Sequence, residues 1–352
     1  VEKTVTKPLI QSSSDFVATF EPPDYLIESI LQRRFIYSLT GLTGSGKSAV
    51  ALLLCACTAL KRALAGCAVE RGRALYLAGE NPDDIKMRWI LMSEKMNFDI
   101  DKIDVHFIEG GQLLSQNIRR IHEEVKQLGS VELIIVDTSA AYFEGDSEND
   151  NTQAGEHARR LRSLTQLPGG PCVIINCHPT KYASGDNTLI PRGGGAFLNE
   201  MDGNMPCIND DGLVRIQRDN AKFRGPQWDP ITFELLTLTT SKITDSKGRL
   251  IPTVMARALS DQEYRERERT VHKDEDKLLV FMVNNESASI ADMAEVALGT
   301  EGTKSGKKSR VWRILQTLEK AKLVKKIRGK YELTKEGAKA AKRLREEDRN
   351  ET

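Results

Sequence analysis

The octapeptide Gly41-Leu42-Thr43-Gly44-Ser45-Gly46-Lys47-Ser48 fills the pattern G-x-x-x-x-G-K-[ST] at every fixed position. Before it lies an apolar run, Phe35 to Leu39, that reads as a strand. After it lies a largely apolar stretch, Ala49 to Leu64, that reads as a helix. Strand, glycine-rich loop and helix in that order make a phosphate-binding loop. The glycines let backbone N–H groups approach phosphate oxygens with no Cβ in the way, and the helix start adds the positive end of its dipole. Gly41, Leu42, Thr43, Gly44, Ser45, Gly46, Lys47, Ser48 and Ala49 are therefore the expected nucleotide-binding residues. Lys47 is expected to neutralise phosphate charge and Ser48 to ligate Mg²⁺, with ATP as the nucleotide.

The loop demands a particular architecture, and the flanking sequence supplies it. Further short apolar runs, Ala74–Ala78, Val105–Ile108, Leu133–Val136 and Cys172–Asn176, read as strands. Between them, Ile118–Leu128 and Ala154–Leu167 have helical spacing, and Asn81-Pro82-Asp83-Asp84 start another helix. Strands apolar on both faces, alternating with helices, imply an α/β fold with a mostly parallel sheet covered by helices. Val214–Arg218, Ile231–Thr237 and Thr253–Arg257 read as strands closing that sheet antiparallel.

Three polar residues end strands of this set. Leu133-Ile134-Ile135-Val136-Asp137 is a buried strand whose tip presents one carboxylate, the form that holds a metal's water shell beside a phosphate loop. Glu80, just past Gly79, is placed to polarise an attacking water; the alternative is a position beside a helix N-cap. His178 ends Cys172–Cys177 and is placed to sense the γ-phosphate; the alternative is a structural histidine.

The chain has 352 residues, enough for one large domain and a smaller one. Its net charge of +1 says nothing about nucleic acid, so any footprint has to be local. No apolar run approaches the roughly 20 residues that span a bilayer. Val1 to Ile10 lacks the apolar stretch of a signal peptide, so a cytoplasmic protein without a membrane partner is expected. Cys55, Cys57, Cys67, Cys172, Cys177 and Cys207 form no C-x-x-C pair and read as buried, reduced thiols.

Four segments are expected: an N-terminal arm over 1–34, an ATPase domain over 35–260, a charged linker over 261–276, whose alternating signs suit a solvated linker or an exposed helix, and a smaller domain over 277–352. Ser12 to Ser14 and Pro22–Pro23 break any long element in the arm. In the last segment, helices at Lys277–Val283, Ser289–Ala297 and Lys307–Lys322 precede a hairpin turning at Gly329 and a basic helix. That order is a winged helix-turn-helix pattern.

Together these residues resemble the RecA/DnaB-like P-loop ATPases, in the branch that holds the plasmid-encoded hexameric helicase RepA and many phage and mobile-element ATPases. The resemblance runs from about Pro22 to Leu259. Pro22-Pro23-Asp24-Tyr25-Leu26 resembles the branch's lead-in to the P-loop. Leu77-Ala78-Gly79-Glu80-Asn81 resembles its catalytic-glutamate motif, and Gly145 to Asn151 its acidic loop. His178-Pro179-Thr180-Lys181 resembles its sensor segment, and Arg192-Gly193-Gly194-Gly195-Ala196 its glycine-rich turn. Ala221-Lys222-Phe223-Arg224-Gly225-Pro226 resembles the K-x-R-x-G-P element, although Gly225 follows Arg224 one residue short of the longer pattern. The resemblance implies that Lys222 and Arg224 reach into a neighbouring subunit's ATP site. On a strand, positions i and i+2 share a face, and a head-to-tail contact of this kind builds rings. A homo-oligomeric ring, a hexamer above all, is therefore expected. The alternative for Lys222 and Arg224 is a basic strand end on the surface.

Two segments are candidates for nucleic acid. Lys181 to Arg192, with Tyr182, is long and polar and follows His178; amide, basic and aromatic groups of this kind suit single-stranded DNA, and the alternative is a surface loop. In the C-terminal segment Lys307, Lys308, Arg310 and Arg313 cluster on the third helix, and Arg328 and Lys330 sit at the hairpin tip, where duplex DNA would be met. The expected function is an ATP-hydrolysing DNA motor, a ring-forming replicative helicase of a plasmid, phage or mobile element, working with replication proteins. The alternatives are an ATPase that remodels a protein–DNA complex without unwinding, and an ATP-switched DNA-binding regulator.

Overall fold

Buried apolar strands bounded by glycine and charged residues organise the chain. The computed structural model describes residues 10–18, 20, 22, 24–180, 189–210, 212–285, 289–296, 304–327 and 329–350. The chain forms two compact units, Val1–Ser260 and Asp261–Thr352.

In the first unit a short helix α1 (Ser13–Ala18) and a hairpin of β1 (Tyr25–Ile27) and β2 (Leu31–Gln32) lead into β3 (Ile36–Thr40). There follow α2 (Lys47–Leu60), β4 (Ala74–Ala78), α3 (Pro82–Lys95), β5 (Val105–Glu109), α4 (Leu114–Leu128), β6 (Leu133–Asp137), α5 (Asn151–Ser163), β7 (Cys172–Cys177), α6 (Gly194–Asn199), β8 (Gly203–Asp210), β9 (Leu213–Ile216), β10 (Ile231–Leu238) and β11 (Thr253–Ala258). One nine-stranded sheet has the order β11-β10-β9-β8-β3-β7-β6-β4-β5. β3 to β8 run parallel, and β9, β10 and β11 extend the sheet antiparallel.

Side chains alternate between two cores, as the period of two requires. Tyr37, Tyr76, Ile135 and Ile174 point to the face covered by α2 and α3, with Leu52 and Trp89. Ile36, Leu77, Ile134 and Val173 point to the face covered by α4 and α5, with Val125 and Leu161. Covered on both faces, β3, β4, β6 and β7 are buried at every residue. This mixed α/β arrangement fits a RecA-like P-loop core.

Two expectations about this unit's elements need correction, and one strand was not anticipated. The arm over 1–34 is not all outside the domain: Leu26, Ile27, Ile30 and Leu31 are buried in the first core, because four apolar residues around a tight hairpin cover the sheet's end. α2 stops at Leu60, not Leu64, since Lys61 adopts φ 52 and closes the helix on Cys57 and Thr58 carbonyls. β8 was not foreseen; Gly203, Asn204, Pro206 and Asn209 disguise it. All six cysteines are free; five are buried and Cys67 is partly exposed.

The second unit consists of α7 (Asp261–Asn284), α8 (Ile290–Val296), α9 (Lys304–Lys320), a hairpin of β12 (Val324–Ile327) and β13 (Lys330–Leu333), and α10 (Lys335–Asn350). The charged segment 261–276 takes the helical alternative rather than that of a separate linker. It is the first part of the 24-residue helix α7, where opposite charges three and four apart are compatible with a solvated helix. Ser289 opens α8: its hydroxyl accepts from the Asp292 N–H at 3.3 Å, and Asp292 returns the bond to the Ser289 N–H at 2.9 Å. Leu278, Met282, Met293, Val311, Leu315 and Leu318 build this unit's core.

Candidate functional site

Strand register assembles the site. Thr40 pairs with Cys177, Asn176 with Asp137, and Asp137 with Ala78. The sheet order β3-β7-β6-β4 therefore releases the P-loop, His178, Asp137 and Glu80 from one edge. Three strand spacings cover roughly 14 Å, so residues from four separate parts of the sequence meet at one place.

The P-loop is held from behind. Gly44 and Gly46 adopt φ 78 and 91, conformations that favour glycine. A Cβ on Gly46 would lie 2.8 Å from Val214 Cγ2. The Gly41 N–H donates to the Cys177 carbonyl at 3.1 Å, Asn209 Nδ2 to the Gly44 carbonyl at 3.0 Å, and Cys207 Sγ to the Ser45 carbonyl at 3.5 Å. Lys47 is buried, and its ammonium donates to the carbonyls of Gly41 at 2.7 Å and Leu42 at 3.0 Å. Burial lowers its pKa, which nearby Cys207 and Asp137 partly offset. Leu42, Thr43 and Gly44 are exposed. The first N–H groups of α2, on Lys47, Ser48 and Ala49, have no carbonyl partner within the helix. A cradle of free N–H groups with one ammonium fits a polyphosphate.

Asp137 is 5% exposed. Tyr76 donates its phenolic hydroxyl to Oδ2 at 2.5 Å, and Asn176 Nδ2 donates to Oδ1 at 2.8 Å. Burial, together with the Asp137 charge, raises the Tyr76 pKa well above the ordinary tyrosine value, so it remains a donor. Each carboxylate oxygen keeps a lone pair for a metal's water shell, so Ser48 and Asp137 fit Mg²⁺.

Glu80 is 54% exposed at its side chain. Its Oε1 accepts from the Thr138 hydroxyl at 2.6 Å and lies 3.6 Å from His178 Nε2. Glu80 also stands beside the N-cap of the next helix, Asn81, which accepts from the Asp84 N–H at 3.2 Å, with Pro82 opening α3. Tyr76, Thr138 and Asn176 were not singled out from the sequence. For Tyr76 and Asn176 the available signal was a hydroxyl or amide inside an otherwise apolar strand, and register aims both at Asp137; Thr138 follows β6 and turns to Glu80.

Lys222 and Arg224 do not lie on a regular strand. They flank Phe223, which forms a single bridge to Gly203 and stacks on Tyr37 with ring centroids 5.4 Å apart. With Phe223 turned into the core, Lys222 reaches the Asn199 carbonyl at 3.3 Å and Arg224 reaches Asp202 at 2.9 Å. This is the N-terminal end of β3, opposite the chain's own P-loop.

Of the nucleic-acid candidates, Lys181, Tyr182 and Arg328 lie outside the described residues. Arg192 pairs with Glu148 of the acidic loop at 3.1 Å, and its N–H donates to the His178 carbonyl at 3.0 Å. The glycines after it open α6, with Gly193 at φ 82. In the second unit Arg310 pairs with the buried Asp274. Lys308 and Lys330 are exposed, while Lys307 and Arg313 are partly buried.

A family model described as an AAA domain matches residues 3–184 of the chain. That stretch includes the P-loop, Glu80, Asp137 and His178. No curated protein matches the sequence.

Proposed function

The chain belongs to the AAA domain family of P-loop ATPases, and from that premise we propose that it is an ATP-driven DNA motor, a ring-forming replicative helicase of a plasmid, phage or mobile element. Hydrolysis is the first element of the reading. Glu80, steadied by Thr138, takes a proton from the water that attacks the γ-phosphorus as the bond to the leaving diphosphate oxygen breaks. Lys47 and the P-loop N–H groups hold the β- and γ-phosphates. Mg²⁺, when bound by Ser48 and Asp137, neutralises phosphate charge. His178, beside Glu80, feels the site and begins the segment that returns at Arg192.

One observation carries the ring. Lys222 and Arg224 lie at the opposite end of β3 from the chain's own P-loop, about four residues or roughly 13 Å of strand away. At that distance the pair suits a neighbour's nucleotide better than its own, and an arginine supplied across an interface stabilises transition-state charge. In the second unit, three helices, a hairpin and a further helix support a winged-helix reading, with Lys308 and Lys330 available to duplex DNA.

A second reading, a remodeller that docks on protein, is favoured by Trp312, half-exposed on the outer side of α9. The test is ATP turnover with and without single-stranded DNA, with mass by light scattering in ATP, followed by strand displacement on a forked duplex. DNA-stimulated turnover, a ring-sized species and displacement are expected. A monomer whose turnover ignores DNA rejects the motor, and stimulation without displacement moves the reading to the remodeller.

A further inference from the structure

Asp202 stands at the start of β8, with 3% of its side chain exposed. Three donors converge on it from distant parts of the sequence. Oδ2 accepts from the Ile36 N–H at 3.0 Å, the first residue of β3. Oδ1 accepts from Arg162 Nη2 at 3.1 Å and from Arg224 Nη1 at 2.9 Å. The Arg224 backbone N–H also donates to the Asp202 carbonyl at 2.7 Å. Arg162 has a second anchor in the Glu200 carbonyl, at 2.9 Å from Nε.

Charge and exposure separate the two arginines. Arg162 also meets the Glu200 carboxylate at 3.7 Å, which Arg159 shares at 3.6 Å, so three guanidinium groups face two carboxylates and net positive charge remains. Arg162 is held on both sides, whereas the Arg224 side chain is 65% exposed. Among the described residues Arg224 makes no side-chain hydrogen bond besides that to Asp202. One nitrogen is fixed and the other N–H groups of the fork face outward, the geometry in which a guanidinium can meet a phosphate.

We infer that Asp202 is a positioning residue: it holds Arg224 extended toward the phosphates of a neighbouring subunit and ties it, through Ile36, to the strand that carries the chain's own P-loop. The inference rests on the reading of Arg224 as a residue that acts in trans. Ordering a long side chain before its partner arrives removes an entropic cost from the encounter. A buried carboxylate hydrogen-bonded to β3 is a firm base for doing so.

Asp202→Asn keeps the shape and an acceptor for the Ile36 N–H but removes the charge that holds Arg224. The experiment compares D202N, R224A and E80Q, alone and as equal mixtures of each of the first two with E80Q. ATP turnover, KM, fluorescent-nucleotide affinity and thermal unfolding are read together. D202N is expected to lose turnover roughly 10-fold, with KM and nucleotide affinity held within about twofold. Mixing D202N with E80Q is expected to raise turnover above the sum of the two alone. A D202N subunit keeps its own P-loop and Glu80, and borrows a well-held Arg224 from its E80Q neighbour.

The R224A and E80Q mixture tests the underlying reading. Without recovery there, Arg224 does not act across an interface, and the functional reading fails together with the inference. Recovery with R224A but none with D202N, or unchanged turnover in D202N, makes Asp202 a purely structural carboxylate and overturns the inference while the trans reading stands. If D202N does not fold, Asp202→Glu, which keeps the charge but displaces it by one methylene, goes through the same mixtures with the same two outcomes.

Discussion

The Thr138 hydroxyl donates to Glu80 Oε1 at 2.6 Å, one residue past Asp137, the candidate metal ligand. The candidate metal ligand and the residue that holds the candidate base are thus consecutive at one strand end. Glu80→Gln is expected to bind ATP with near-unchanged affinity and to lose turnover by about 10²–10⁴-fold. Thr138→Val, which only releases the carboxylate, is expected to lose less, roughly 10-fold. Single-turnover hydrolysis beside fluorescent-nucleotide titration separates the two effects. Normal turnover in Glu80→Gln would falsify the assignment of the base.

Tyr76→Phe removes one oxygen from the interior and leaves Asp137 Oδ2 without its donor. The cost is expected at roughly 1.5–3 kcal/mol of stability, the range for a hydrogen bond to a charged group. Asn176 continues to hold Oδ1, so ATP binding persists while more Mg²⁺ is needed for half-maximal turnover. Thermal unfolding and a Mg²⁺ titration of turnover check both parts. An unchanged Mg²⁺ requirement would assign Tyr76 to stability alone.

His157 gives the first unit an acid sensitivity. It is buried between Phe143 and Phe197, with Nε2 3.1 Å from Ser139 Oγ. Burial, with Arg160 nearby, pushes its pKa from 6.5 down to about 4. Between these values the unfolded chain takes up a proton that the folded one refuses. Its contribution is complete above pH 6.5 and is lost as the pH falls toward 4, by about 2 kcal/mol between pH 7 and 5. His157→Phe keeps a ring there without titrating. Its thermal midpoint is expected to drop less than wild type between pH 7 and 5, and equal drops would clear His157 of the effect.

The basic residues of α9 and the hairpin divide into two groups. Arg310 is committed to the buried Asp274, so Arg310→Ala is expected to lower the second unit's stability and to change DNA affinity little. Lys308→Ala and Lys330→Ala are expected to leave stability alone. Each is expected to reduce the slope of log affinity against log salt by about 1, the signature of a lost phosphate contact. Salt titrations of duplex binding decide the matter, and flat slopes in both lysine variants would remove duplex DNA from the reading.

The parts of the fold that could be read from the sequence were those in which local pattern and tertiary role agree. β4 and β6 are apolar at nearly every position and end in Gly79 and Asp137, so burial and boundary were both visible. β8 was missed because its asparagines and Pro206 serve the sheet's interior: Asn204 accepts from the Ser38 and Thr40 hydroxyls at 2.9 and 2.8 Å. No local rule anticipates that pairing across more than 160 residues. The same holds for Tyr76 and Asn176, whose polar ends acquire meaning only from register with Asp137. Lys222 and Arg224 were legible as a pair, but the strand assumed for them was not there, since a single bridge at Phe223 does its work.

The buried thiols have a practical consequence. Cys177 and Cys207 lie on the two strands beside β3, each bonded to the P-loop through its carbonyl or sulfur. Burial pushes the Cys207 thiol up to about 11 and Cys177 higher still. At neutral pH both thiols are expected to stay protonated and slow toward an alkylating reagent, because the thiolate is the reactive form. The labelling rate of Cys207, whose sulfur touches the loop, is therefore expected to follow the opening of the nucleotide cradle and to fall when nucleotide is bound, whereas the Cys177 thiol lies in the second core and serves as the internal control.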